Sequence, residues 1–126
     1  VEVASGGEMS RFLLGLKTTL AAVDGSSTLL FDEIDAGVSG RVSGAMADLL
    51  RSLGEQRQVF CVTHQPLVAA VADHHFRVNK EVKEGVTYSR VSRLRDTRER
   101  QQELAELAGG DQADFYAASL LAQRSA

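Results

Sequence analysis

The chain has 126 residues, 44% of them hydrophobic, and a net charge of −3. That is enough for one domain, or one lobe of a larger one, with a buried core. It lacks the overall basic footprint of a dedicated nucleic-acid-binding surface. A lone cysteine, Cys61, excludes an internal disulfide framework and fits a reducing cytoplasm; no apolar run reaches membrane-spanning length, and no leader peptide is recognisable ahead of an abrupt start at Val1.

Residues 1–4 read as the end of a strand or loop, broken by Ser5-Gly6-Gly7. From Glu8 to about Val23 the apolar positions Met9, Phe12, Leu13, Leu16, Leu20 and Val23 recur at spacings of three and four, which predicts an amphipathic helix. Ser5 and Glu8 have the spacing of a capping box at its start. After the turn at 24–27, Thr28-Leu29-Leu30-Phe31 is a short apolar run of the kind that forms a fully buried parallel strand. Residues 36–40 form a loop, and a second helix is expected from Val42 to about Leu53, ended by Gly54. Gln58 to Thr63 predicts another buried strand. Pro66 suits the first turn of a short helix running to Ala72. Phe76–Lys80 and Val86–Leu94 predict a hairpin around Lys83-Glu84-Gly85, with the alternation of an exposed antiparallel edge. Residues 96–100 read as a charged connector, followed by helices at 101–108 and about 112–123. This order implies an α/β layer structure with a mainly parallel sheet and a short antiparallel hairpin.

Four groups carry candidate chemistry. Asp32 and Glu33 stand directly after a buried strand, at the rim where α/β proteins bind ligands. Two adjacent carboxylates repel unless a cation or a proton-transfer role accommodates them. Asp32 suits Mg²⁺, and Glu33 suits the activation of a water attacking a phosphate. Taken alone, the pair equally fits acids that cap the next segment. Ser5, Gly6 and Gly7, opening a helix, offer backbone N–H groups and a hydroxyl to an anion, or simply an ordinary capped start. His64 ends the next strand, where it can meet a phosphate or its attacking water, or sit as a satisfied loop histidine. Asp35 follows the acid pair, in a loop that Gly37 and Gly40 allow to turn sharply and that could project it across a dimer contact. His74 and His75 are adjacent in an extended segment and point apart, so they are read as structural. No Gly-x-x-x-x-Gly-Lys-Ser/Thr phosphate loop occurs, so the chain cannot cradle the β- and γ-phosphates in the usual way.

The order of these groups resembles the ABC-type ATPase heads: signature motif, Walker B acids, D-loop and switch histidine. The wording of residues 5–11, 31–41 and 62–75 is similar to a bacterial DNA-repair branch of the structural-maintenance-of-chromosomes (SMC) class. The resemblance implies the C-terminal lobe of a P-loop ATPase head. The phosphate-loop half would come from the other end of a longer chain, across a coiled coil. It implies ATP and Mg²⁺ as cofactors, Asp32 acting on the metal through its water shell, Glu33 as general base and His64 as γ-phosphate sensor. Ser5, Gly6 and Gly7 would contact the nucleotide of a second head, and Asp35 would bridge the two heads. The implied function is ATP-driven head dimerisation in double-strand break repair and recombination, with DNA a partner of the whole protein and no membrane involved. Two alternatives remain: the head of another SMC- or Rad50-like ATPase, and a non-catalytic interaction module of the same fold.

Overall fold

The computed structural model describes residue 25 and residues 28–35, 37–109 and 114–125. The expected signature turn and first helix, residues 5–23, lie outside the described residues. The chain divides into two units, residues 1–71 and 72–126.

In the first unit, β1 (Thr28–Asp32) and β2 (Gln58–Val62) pair in parallel, with Leu30 opposite Phe60 and Asp32 opposite Val62. They are connected by α1 (Gly40–Gly54), and β2 is followed by the short α2 (Pro66–Ala70). The helix between two parallel strands is the βαβ arrangement that such pairing requires. Ser39 precedes α1 in extended conformation, and its carbonyl accepts from the Ser43 amide at 2.9 Å, which starts the helical ladder. Met46, Ala47 and Leu50 of α1 are buried; Ala47 and Leu50 meet Phe31 and Val68, with Leu29, Val59 and Cys61 packed alongside. One face of the sheet is therefore closed by helices.

None of the described elements covers the other face. Both strands were expected to be fully buried, yet Leu30 is 71% exposed, and Phe60 and Val62 are about half exposed. Period-two geometry explains the difference: Leu29, Phe31, Val59 and Cys61 turn towards the helices, and the intervening residues turn away. The continuous apolar runs describe strands meant to be covered on both sides.

In the second unit, β3 (His75–Lys83) and β4 (Val86–Leu94) form an antiparallel hairpin, with Val78 opposite Val91 and Lys83 opposite Val86. The first strand is longer than the apolar pattern suggested, because Glu81-Val82-Lys83 continue it to a two-residue turn. Glu84 and Gly85 take φ of 52° and 77° there, the handedness that matches strand twist in a tight hairpin. Phe76, Val78, Val82 and Val91 are exposed, as the edge reading expected.

The expected charged connector at 96–100 is instead the first turn of a helix, α3 (Thr97–Leu107). The Glu99 amide donates to Asp96 Oδ1 at 2.8 Å, and Arg95 N donates to Glu99 Oε2 at 2.7 Å. Asp96 is thus the N-cap of the helix, and Glu99 reaches back past it to the preceding amide, a variant of the capping box. The helix packs against α4 (Asp114–Ser125), hiding Leu104, Ala105, Ala117 and Leu120. Ion pairs join Arg77 to Glu103 at 3.3 Å and Arg124 to Asp73 at 2.8 Å. Arg93 donates to His74 Nδ1 at 2.8 Å, while His75 is half-buried and its Nδ1 has no hydrogen-bond partner among the described residues. No helix among the described residues is long and apolar enough to cross a membrane.

Candidate functional site

Parallel pairing brings the carboxyl ends of β1 and β2 to the same rim, so the segments that follow them emerge side by side. The Glu33 amide donates to the Val62 carbonyl at 2.9 Å, carrying the ladder one step past the strand. Glu33 then adopts a left-handed backbone, φ 51°, which an L-residue with a long side chain rarely takes. Such a conformation costs about 1–2 kcal/mol and gathers at functional sites. Here it accompanies a direct contact: Glu33 Oε1 lies 2.8 Å from His64 Nε2. Both groups face solvent, Glu33 at 50% and His64 at 80% side-chain exposure. The contact therefore adds little stability by itself, on the order of 0–1 kcal/mol. Its value lies in presenting a carboxylate and an imidazole together at an open rim.

Asp32, the last residue of β1, is exposed beside this pair in sequence, and its carboxylate has no partner among the described residues. A hard, unshared carboxylate fits Mg²⁺, which binds through one or two carboxylates and completes its shell with water and substrate phosphates. The described residues contain no cluster of three or more histidine, cysteine or acidic side chains able to hold a metal on their own. Any Mg²⁺ at Asp32 would complete its coordination with water or with groups beyond the described residues.

Asp35 is only 2% exposed within this chain. The Thr63 hydroxyl donates to its Oδ2, and the Gln65 amide donates to Thr63 Oγ1 at 2.9 Å. The loop closes on itself where the Val38 amide donates to the Asp35 carbonyl at 3.3 Å, and Gly37 takes the left-handed φ of 74° that this turn needs. The aspartate's negative charge reaches Cys61: burial, and secondarily Asp35, push the thiol up to about 11. Cys61 is thus a protonated core side chain rather than a nucleophile.

The structure brings Glu33 and His64 into contact, leaves Asp32 open at the same strand end, and turns Asp35 underneath. Ser5, Gly6 and Gly7 lie outside the described residues. Thr63 is the residue that sequence reasoning passed over. Its signal was available: once the two apolar runs are paired, a hydroxyl just before His64 falls opposite the loop that carries Asp35.

Comparison with known proteins gives a consistent picture. No protein-family model matches the chain. A DNA repair protein RecN from Synechocystis sp. is 48% identical over 98% of this chain and 24% of its own length. The RecN of Bacillus subtilis is 42% identical over 84% of the chain and 18% of its own length. That of Deinococcus radiodurans is 42% identical over 90% and 20%. The matches fall at the C-terminal end of those proteins, so the chain spans a quarter or less of the relatives it resembles. Among solved structures, an Smc head domain with a coiled coil and joint from Pyrococcus yayanosii superposes with a TM-score of 0.63 at 28% identity, covering 85% of this chain and 20% of that one. A chain from a study of ATP-driven dimerization and DNA-stimulated activation of SMC ATPases gives a TM-score of 0.62 at 24% identity, over 86% of this chain and 64% of that one. The fold is that of SMC ATPase heads.

Proposed function

We propose that this chain, a homologue of the C-terminal end of the RecN proteins, is the part of an ATP-hydrolysing head that supplies the general base and the phosphate sensor, acting in DNA double-strand break repair and recombination. The observation that carries the reading is the Glu33–His64 contact at the shared end of two parallel strands. Glu33 accepts a proton from the water that attacks the terminal phosphate. His64, whose Nε2 already meets Glu33, donates to that phosphate. Asp32 would hold Mg²⁺ through its water shell, and the ion would supply neutralisation of phosphate charge. Ser5, Gly6 and Gly7 contact a nucleotide held by a second head, so ATP binding favours dimerisation and hydrolysis releases it.

The phosphate loop is assigned to another part of the longer polypeptide. Two features support this. The chain itself has no such loop. The open face of the β1–β2 sheet, with Leu30, Phe60 and Val62, also calls for cover, because parallel sheets are buried on both sides. DNA is engaged through the whole protein, in keeping with the net charge of −3 on this segment.

The test is Glu33→Gln in the full-length protein. ATP binding is retained, an ATP-dependent dimer accumulates, and turnover falls by about 10²–10⁴-fold, the usual contribution of a general base. An undiminished hydrolysis rate refutes the assignment.

A further inference from the structure

We propose that Asp35 and Thr63 act as a positioning pair, a buried tie between the loops after β1 and β2 that sets the His64 turn against Glu33. The proposal rests on the reading of Glu33 and His64 as the hydrolytic pair and assigns how their geometry is held.

His64 is 80% exposed, so packing cannot fix its ring; its place must come from the backbone on either side. Among the described residues, three contacts join the two loops. The Glu33 amide bonds the Val62 carbonyl, but this tie ends before the turn. The Glu33–His64 contact is solvent-facing and weak in isolation. The remaining tie, Thr63 to Asp35, is sheltered, with Asp35 2% exposed.

The chemistry of that tie is directional. A carboxylate only accepts, so Asp35 takes the one proton the Thr63 hydroxyl can donate. The hydroxyl's lone pairs are then left for the Gln65 amide, which donates to it at 2.9 Å. Residues 63 and 65 are thereby locked together with His64 between them, a side-chain-closed turn. The partnership also relieves Asp35, whose charge would be costly to bury alone. Since Asp35 lies two residues after Glu33, one hydrogen bond registers both members of the reactive pair.

The test compares Thr63→Val, Thr63→Ser and the double variant Asp35→Asn/Thr63→Val in the full-length protein. Valine keeps the shape and removes the hydroxyl. The kcat for ATP falls about tenfold to a hundredfold, as for a reacting group displaced by about an ångström, while KM for ATP is unchanged. Serine restores the rate. The double variant is no slower than Thr63→Val, since two members of one unit are not additive. Wild-type kcat in Thr63→Val, or a serine variant as slow as valine, overturns the proposal. Should Thr63→Val fail to fold because it strands a buried carboxylate, the double variant carries the test, and wild-type kcat there overturns it equally. A crystal structure of the folded variant gives a readout free of turnover: the His64–Glu33 contact is lost, and its retention at the original separation counts against the proposal. Failure of the hydrolytic reading looks different, because Glu33→Gln would then hydrolyse ATP at full rate.

Discussion

Glu33 carries its carboxylate on a left-handed backbone, and that strain can be measured by comparing two variants that both lack the carboxylate. Glu33→Ala and Glu33→Gly lose the His64 contact alike and differ only in backbone tolerance. At φ 51° an alanine retains the left-handed penalty of about 1–2 kcal/mol, which glycine escapes. Glycine gives back about 0.5–1 kcal/mol through the greater freedom of its unfolded chain. The balance favours glycine by about 0.5–1 kcal/mol, the reverse of the usual order of these residues within a strand or helix. In a domain of 150–250 residues this corresponds to a melting difference of about 1–4 °C. The assay is thermal unfolding of the full-length variants without nucleotide, following the transition that ATP raises in the wild-type protein. Both variants are expected to be inactive. A glycine variant that melts at or below the alanine variant refutes the claim that strain is stored at Glu33.

Asp96→Ala removes the side-chain cap of α3 and should cost about 0.5–2 kcal/mol, read as a lower urea midpoint. Leu104→Ala, at a fully buried position, should cost about 2–5 kcal/mol by the same measurement. Cys61 should resist alkylation, followed by mass spectrometry, at the pH where an ordinary thiol reacts. Its protonated form is favoured by folding, so the stability it contributes is present below about pH 9 and is lost as pH rises towards 11. His75 is pushed below its usual value by burial and then by the Arg100 charge, so folding favours the neutral ring. That contribution is present above the ordinary histidine range and is lost as pH falls through and below 6.5. His75→Gln should flatten this acid-side loss in melting temperature.

Much of this architecture is legible from local pattern. The two apolar runs at 28–31 and 58–63 fix the parallel strands, and the alternation after Val86 fixes the hairpin, because hydrophobic period and turn residues act over a few positions. The candidate rim follows once those strands are paired, since Asp32 and Glu33 directly follow one apolar run and Thr63 and His64 the other. What was not legible depended on contacts across long sequence separation or on reading one signal as another. The Asp96 N-cap lies inside a run of charges, whose pattern reads equally as a connector. The inward turn of Asp35 required Thr63, 28 residues away, as its partner. The half-open state of the sheet depends on what covers Leu30 and Phe60, which no pattern within these residues specifies.

The most direct measurement is a structure of the full-length Glu33→Gln protein with ATP and Mg²⁺. The terminal phosphate is expected at the rim of β1 and β2, with His64 Nε2 within hydrogen-bonding distance of a phosphate oxygen and residue 33 facing the attacking water. A nucleotide bound elsewhere, with His64 and residue 33 remote from its phosphates, contradicts this placement.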